Sequence, residues 1–170
     1  MRAMFGPSLF ATIVLVAGTA MSTGPAAADP VVTGEEHCVI NVASNDTLNI
    51  RKQPSSKSAI AAKKQYGDCG ILITGACKGS WCPVEDGHSQ GWAHRNYLAM
   101  VSPALYCVSG VDEDDTLNLR AFPSTSSSVL TELDPHQCDI AFLPYAKGSW
   151  QKVRVDGWQG WVSRKYVSGE

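Results

Sequence analysis

Apolar and polar residues alternate along this chain in short bursts with a period of two, the signature of half-buried β-strands. Leu48-Asn49-Ile50-Arg51 and Leu117-Asn118-Leu119-Arg120 alternate in the same phase, and Cys38-Val39-Ile40-Asn41-Val42 has strand character. Cys69-Gly70-Ile71-Leu72-Ile73-Thr74 is a β run that stops at Gly75, Pro54 to Ser58 is turn chemistry, and Ile60 opens a weaker strand. Trp81 to Glu85 and Gly91 to Ala93 predict the arms of a hairpin turning near Asp86-Gly87. Val153 to Trp158 predicts a second hairpin, in which Asp156-Gly157 favours a type I′ turn. No convincing amphipathic helix interrupts this pattern.

The pattern repeats. Lys78-Gly79-Ser80-Trp81 returns as Lys147-Gly148-Ser149-Trp150, and Gln90-Gly91-Trp92 as Gln159-Gly160-Trp161, both displaced by 69 residues (150 − 81 and 161 − 92). In the same register Asp46-Thr47-Leu48-Asn49 falls on Asp115-Thr116-Leu117-Asn118, Cys38 on Cys107, Cys69 on Cys138 and Tyr97 on Tyr166. Two copies of one unit are therefore expected, each with its own core.

The pairing of the hairpin then assigns faces. With a two-residue turn at Asp156-Gly157, Val155 pairs with Trp158, Arg154 with Gln159, Val153 with Gly160 and Lys152 with Trp161. Side chains alternate across a strand, so Val153, Val155, Val162 and Trp158 share one face, and Trp150, Lys152, Arg154 and Trp161 the other. The valines are expected in the core and the two tryptophans on a partly exposed platform.

Residues 1–28 read as a signal peptide rather than as structure. Arg2 precedes an apolar run from Leu9 to Ala17, and Ala26-Ala27-Ala28 supplies the cleavage site. The run is broken by Gly18 and is too short to span a bilayer, so no stable membrane anchor is expected after cleavage, and a periplasmic or secreted location follows. Without residues 1–28 the charge is 13 minus 16, or −3, which disfavours nucleic acid and anionic membranes as partners.

Six cysteines in an exported chain of this size read as disulfides. Cys38 and Cys69 are 31 residues apart, as are Cys107 and Cys138, which predicts one bridge per copy. Cys77 and Cys82 have Ala146 and Gln151 as counterparts and are left to each other. Each long bridge would contribute about 3 to 4 kcal/mol and the short one about 2 kcal/mol in the chain-entropy model. Copies of about 60 residues are marginal on packing alone, so these bridges matter.

The Leu-Asn-Ile-Arg and Leu-Asn-Leu-Arg runs, the Pro-Ser that follows each, the Gly-x-Trp element and the closing Gly-Trp-x-x-x-x-Tyr make each copy resemble a bacterial SH3 domain. The resemblance implies an all-β protein of two tandem SH3-like β-barrels, each of about five short strands. The expected organisation is a leader at 29–37, a first domain at 38–98, a linker at 99–106 and a second domain at 107–170. A loose leader and a linker that packs are expected. Domains of this family often accompany a cell-wall hydrolase, and no attached hydrolase domain is expected here. The ligand class the resemblance implies is an extended peptide, from peptidoglycan or from an envelope protein.

Residues with catalytic chemistry do not recur between the copies. His37, His88, His94 and His136 occupy unrelated positions, and each is expected as a loop or surface imidazole. Cys69, Cys77, Cys82, His88 and His94 could be assembled into a metal site on paper, but export assigns the thiols to disulfides. No enzyme activity, metal or cofactor is expected. The acidic run Asp112 to Asp115 is expected as a solvated loop, and Arg51 and Arg120 as ion-pair partners of Asp46 and Asp115 that hold a loop. Binding is assigned to Trp81, Trp92, Tyr97, Trp150, Trp161 and Tyr166, because large rings on an open face carry contact energy; the alternative for the tryptophans is that the loop from 43 to 58 folds over them and packs them as an outer mini-core.

Overall fold

The computed structural model describes residues 31–169, and the expected signal peptide lies outside them. The described residues form fourteen strands and two single-turn 3-10 segments, with no α-helix. None of them forms a helix long and apolar enough to cross a membrane. The protein is all-β.

In the first half, β1 (Glu36–Val39), β2 (Leu48–Arg51), β3 (Ile60–Lys64), β4 (Ile71–Ile73), β5 (Trp81–Glu85), β6 (Gln90–His94) and β7 (Leu98–Met100) form one sheet. Its order is β3-β2-β6-β5-β4-β1-β7. The second half contributes β8 (Tyr106–Val108), β9 (Leu117–Arg120), β10 (Val129–Leu133), β11 (Ala141–Lys147), β12 (Trp150–Val155), β13 (Trp158–Ser163) and β14 (Val167–Gly169). Here β10-β9-β13-β12-β11 form a five-stranded sheet and β14 pairs with β8. Each half has two more strands than expected. The additional pairings are β1 with β7, where His37 lies opposite Met100, and β8 with β14. Polar residues such as Glu36 and His37 concealed the first of them.

The alternating runs do what their period requires. Leu48 and Ile50 are buried with Val39, Ile71, Ile73, Val84 and Leu98 in one core. Leu117 and Leu119 are buried with Val108, Leu133, Ile140, Val153, Val155 and Val162 in the other. The hairpin register is the expected one, with Val155 opposite Trp158 and Lys152 opposite Trp161. Positive φ values at Asp156 and Gly157 supply the primed turn. In the first half, Gly87 alone of the two central residues has positive φ, so the turn is centred one residue later, on Gly87-His88. Trp158 is the exposed exception on this face. It shares the valine face but stands at the hairpin tip, where the core layer ends, and is 49 % exposed.

Glycine in the Gln-Gly-Trp signature has a steric reason. A Cβ on Gly91 would lie 2.6 Å from the Arg51 carbonyl oxygen, and one on Gly160 would lie 2.8 Å from that of Arg120. Strand β6 crosses β2, and β13 crosses β9, too closely for any side chain.

All three expected disulfides form: Cys38–Cys69, Cys77–Cys82 and Cys107–Cys138. Where the second half lacks the short bridge, Gln151 replaces Cys82. It is 5 % exposed, and its Nε2 amide donates to the Leu143 and Tyr145 carbonyls on β11. A hydrogen-bonded cross-strand tie thus stands where the first half has a covalent one.

The leader and the linker are both built into the fold. Val31 packs against the first core, Gly34 N–H donates to the Ile73 carbonyl, and His37 is fully buried. The leader is therefore not loose over its described part, because its backbone extends the edge beside β4. His37 likewise is not the surface imidazole expected. In the linker, Val101 N–H donates to the Glu36 carbonyl and Ser102 N–H to the Phe142 carbonyl.

These contacts lock the halves together. A third apolar cluster contains Cys38 and Val101 with Ala141, Leu143 and Tyr145, and Trp161 packs against it. The Tyr145 hydroxyl donates to the Val39 carbonyl at 2.8 Å. Arg154 makes two 2.8 Å bonds to the Glu36 carboxylate, which hold that carboxyl below its ordinary pKa against the opposing effect of burial.

Candidate functional site

Two open grooves of about 480 Å³ each occupy corresponding positions in the two halves. The first is lined by Trp81, Tyr97, His94, Asp46, Asn49 and Arg51. The second is lined by Trp150, Tyr166, Ser163, Asp115, Asn118 and Arg120, the same positions displaced by 69 residues.

Local structure places each ring. The tight turn of Lys-Gly-Ser-Trp delivers Trp81 to the start of β5, opposite His94, and Trp150 to the start of β12, opposite Ser163. The 3-10 segments Arg95–Tyr97 and Arg164–Tyr166 carry the tyrosines. In the first groove the rings touch through His94, which meets Trp81 edge-on at 5.4 Å and Tyr97 at 5.8 Å between centroids. The His94 Nδ1 accepts from Asn96 N–H, and the Asn41 amide donates to the Asn96 carbonyl, fixing the segment that bears Tyr97. Both tryptophans are half-buried, with Tyr97 exposed and Tyr166 half-buried. Asn49 has a buried Oδ1 without a hydrogen-bond partner, an acceptor on the lining of the first groove.

Arg51 and Arg120 do hold a loop, but not through aspartate. Arg51 Nη1 donates to the Ser58 carbonyl at 2.6 Å and Arg120 Nη1 to the Ser127 carbonyl at 2.8 Å. Asp46 and Asp115 instead accept from the backbone N–H of the following threonine. A carbonyl at the returning end of the loop lies within the guanidinium's reach, which proximity in sequence to an aspartate did not reveal.

Trp92 and Trp161 line neither groove. Lys78 Nζ sits 5.2 Å from the Trp92 ring, and Trp161 packs against the cluster between the halves. The face opposite the valines was expected to carry both Trp150 and Trp161 as one platform. Part of it is instead taken up by packing: Arg154 is bound to Glu36 of the first half, Trp161 packs against the cluster that contains Cys38, and Lys152 lies over Tyr145 of the neighbouring β11. Burial lowers the Lys152 pKa. Only Trp150, at the far end of β12, reaches the groove. The intervening roles of Tyr145 and Glu36 were not found in the sequence, since neither has a repeated counterpart of the same type.

Among the described residues, no three His, Cys, Asp or Glu side chains gather as a metal site, and Cys69, Cys77 and Cys82 are all in disulfides.

Residues 44–99 match the bacterial SH3 domain family. This segment holds the first groove's Trp81, Tyr97, Asp46 and Arg51. Among curated proteins, none matches the chain. Two solved structures from Trichomonas vaginalis, NlpC2 and NlpC1, are similar at 11% identity and a TM-score of 0.37. The alignments cover 81% and 91% of this chain but 49% and 51% of theirs, so the chain spans about half their length. The bacterial SH3 match and the three disulfides are consistent with an extracytoplasmic protein.

Proposed function

We propose that this chain is an exported, non-catalytic binding protein made of two tandem bacterial SH3-like barrels, at 38–98 and 107–170, that recognises an extended peptide. The ligand class follows from the family that residues 44–99 match, and is either a cell-wall stem peptide or a segment of another envelope protein. One observation carries the reading. Trp81, Tyr97, Asp46, Asn49 and Arg51 and their counterparts 69 residues later line two equivalent aromatic grooves. Rigid rings with polar neighbours suit an extended backbone, which needs both stacking surface and hydrogen bonds. Peptide contact is thereby assigned to Trp81, Tyr97, Trp150 and Tyr166, with Trp92 and Trp161 as supports.

Purified cell-wall sacculi provide the test. At low salt the protein should sediment with the sacculi, and Trp81→Ala combined with Trp150→Ala should leave it in the supernatant. Wild-type protein remaining in the supernatant removes the cell-wall ligand and leaves the envelope-protein segment.

A second reading is favoured by the packing between the halves. Held by Glu36–Arg154 and the Tyr145 to Val39 bond, they can present one composite surface to a single protein partner, in a structural or inhibitory role. Co-purification of one partner from periplasmic extract, lost when Arg154→Ala loosens the halves, would support this. Independent tumbling of the halves in solution would count against it.

A further inference from the structure

The two grooves share a shape but not a charge. At the rim of the first stand Ala43, Ser44 and Asn45, where the second has Asp112, Glu113 and Asp114. Asp112 lines the second groove together with Asp115, beside Trp150 and Tyr166. Neither aspartate is in an ion pair among the described residues, and Arg120 is directed to the Ser127 carbonyl rather than to them. Glu113 is turned to His136. One opposing change exists, because Lys165 replaces Asn96 and lies 4.8 Å from the centre of the Tyr166 ring. Three carboxylates gained against one ammonium leave the second rim two charges more negative than the first.

Side-chain access differs as well. Asn41, which braces Asn96 across the first groove, is replaced by Gly110. The second groove therefore lacks the amide that ties down the tyrosine-bearing segment in the first.

We propose that the second groove is specific for a peptide bearing a primary ammonium on an apolar stem. The stem lies on Trp150 and Tyr166 and the cation meets Asp112 and Asp115. The first groove, whose lining carries one aspartate and one arginine, makes no such demand on its ligand's charge. The chemistry is that of complementary charge beside an aromatic face, where both carboxylate and ring attract the cation. This rests on the grooves being peptide sites and adds which ligand each one takes.

The test uses two synthetic probes, acetyl-Ala-Lys-Ala-amide and acetyl-Ala-Gln-Ala-amide, titrated into the full-length purified protein. The indole N–H signals of Trp81 and Trp150 are followed by NMR and assigned with Trp81→Phe and Trp150→Phe. At Trp150 the lysine peptide should bind roughly three- to tenfold tighter than the glutamine peptide, the range of one or two exposed charge pairs. That preference should shrink at 1 M salt, where the screening length falls to about 3 Å. Asp112→Asn should reduce it, and Asp112 makes no hydrogen bond whose loss would disturb the loop. As a gain of function, Ala43→Asp with Ser44→Glu should create the same preference at Trp81, where the wild type shows none. Equal binding of both peptides at Trp150, or a preference untouched by Asp112→Asn, overturns the charge assignment and leaves the groove reading standing. No response of either tryptophan to either peptide at millimolar concentration overturns the groove reading, and this inference with it.

Discussion

Lys64 and Asp86 form an ion pair in the first half whose side chains are 22% and 7% exposed. Their counterparts 69 residues later are Leu133 and Val155, each 2 % exposed in the second core. Positions 69 residues apart thus hold a half-buried ion pair in one half and a buried apolar pair in the other. Removing one partner of a buried pair costs about 3 to 5 kcal/mol, whereas replacing both with well-packed apolar residues is often neutral or stabilising. Two features reduce the single-mutant cost here. Lys64 can extend to solvent, and Asp86 retains the His88 and Ser89 N–H donors and the Ser89 hydroxyl. We expect Lys64→Leu to cost about 2 to 3 kcal/mol and Asp86→Val about 2 kcal/mol. The double variant should lie within about 1.5 kcal/mol of wild type, the residual reflecting turn amides left to water. Burying the added leucine and valine surface offsets the rest.

Urea unfolding under non-oxidising, non-reducing conditions, followed by tryptophan fluorescence, measures all four corners of the cycle. A coupling energy of at least about 2.5 to 3.5 kcal/mol is expected, and additivity within about 0.5 kcal/mol would refute the reasoning. The pH dependence gives a second check. Burial alone would raise the Asp86 pKa, but Lys64 and the three donors outweigh it and depress it. Stability from this group is therefore complete above the ordinary aspartate value of 3.8 and is lost as pH falls below it. The double variant should lose less stability in that acid range than the wild type does.

Gly91→Ala and Gly160→Ala should each destabilise by about 2 kcal/mol or more, since backbone rather than a flexible side chain blocks the new Cβ; thermal unfolding would detect this, and an unchanged midpoint would contradict the close crossing. His37 should make the protein acid-sensitive. Its Nε2 accepts from Val32 N–H and its Nδ1 bonds the Glu35 carbonyl, a neutral ring held in place, and burial depresses its pKa below 6.5. Its contribution is present above pH 6.5 and lost as pH falls, so a His37→Gln variant should show a flatter midpoint between pH 7.5 and 5. Tyr145→Phe should cost about 1 kcal/mol through the lost bond to Val39, and adding Glu36→Gln should increase proteolysis between the halves. Equal protease resistance of that double variant would show that the apolar cluster alone holds them.

Local information was sufficient for much of the architecture. Period-two alternation in Leu48 to Arg51 and Leu117 to Arg120 identified strands and their buried faces, because pleating puts successive side chains on opposite sides. Equal cysteine spacing identified the bridges, and Asp156-Gly157 set a register that held through Lys152 and Trp161, because a two-residue turn leaves no freedom in pairing. The signature tryptophans were singled out but not sorted by role, and all four are half-buried.

That sorting depended on contacts between residues more than 100 apart. Trp150 and Trp161 share a face by alternation, and nothing in either copy indicates that β1 of the first half meets that face through Glu36 and Cys38. Glu36 meets Arg154 across 118 residues and Tyr145 meets Val39 across 106, so no local period or repeat could register them. The sequence by itself determined the alternating strands, the bridges and the 69-residue recurrence of motifs, since each arises from short-range geometry or identical spacing. Only the tertiary structure decided which rings border open grooves and which are consumed in joining the halves, because exposure depends on what the rest of the chain packs against each face.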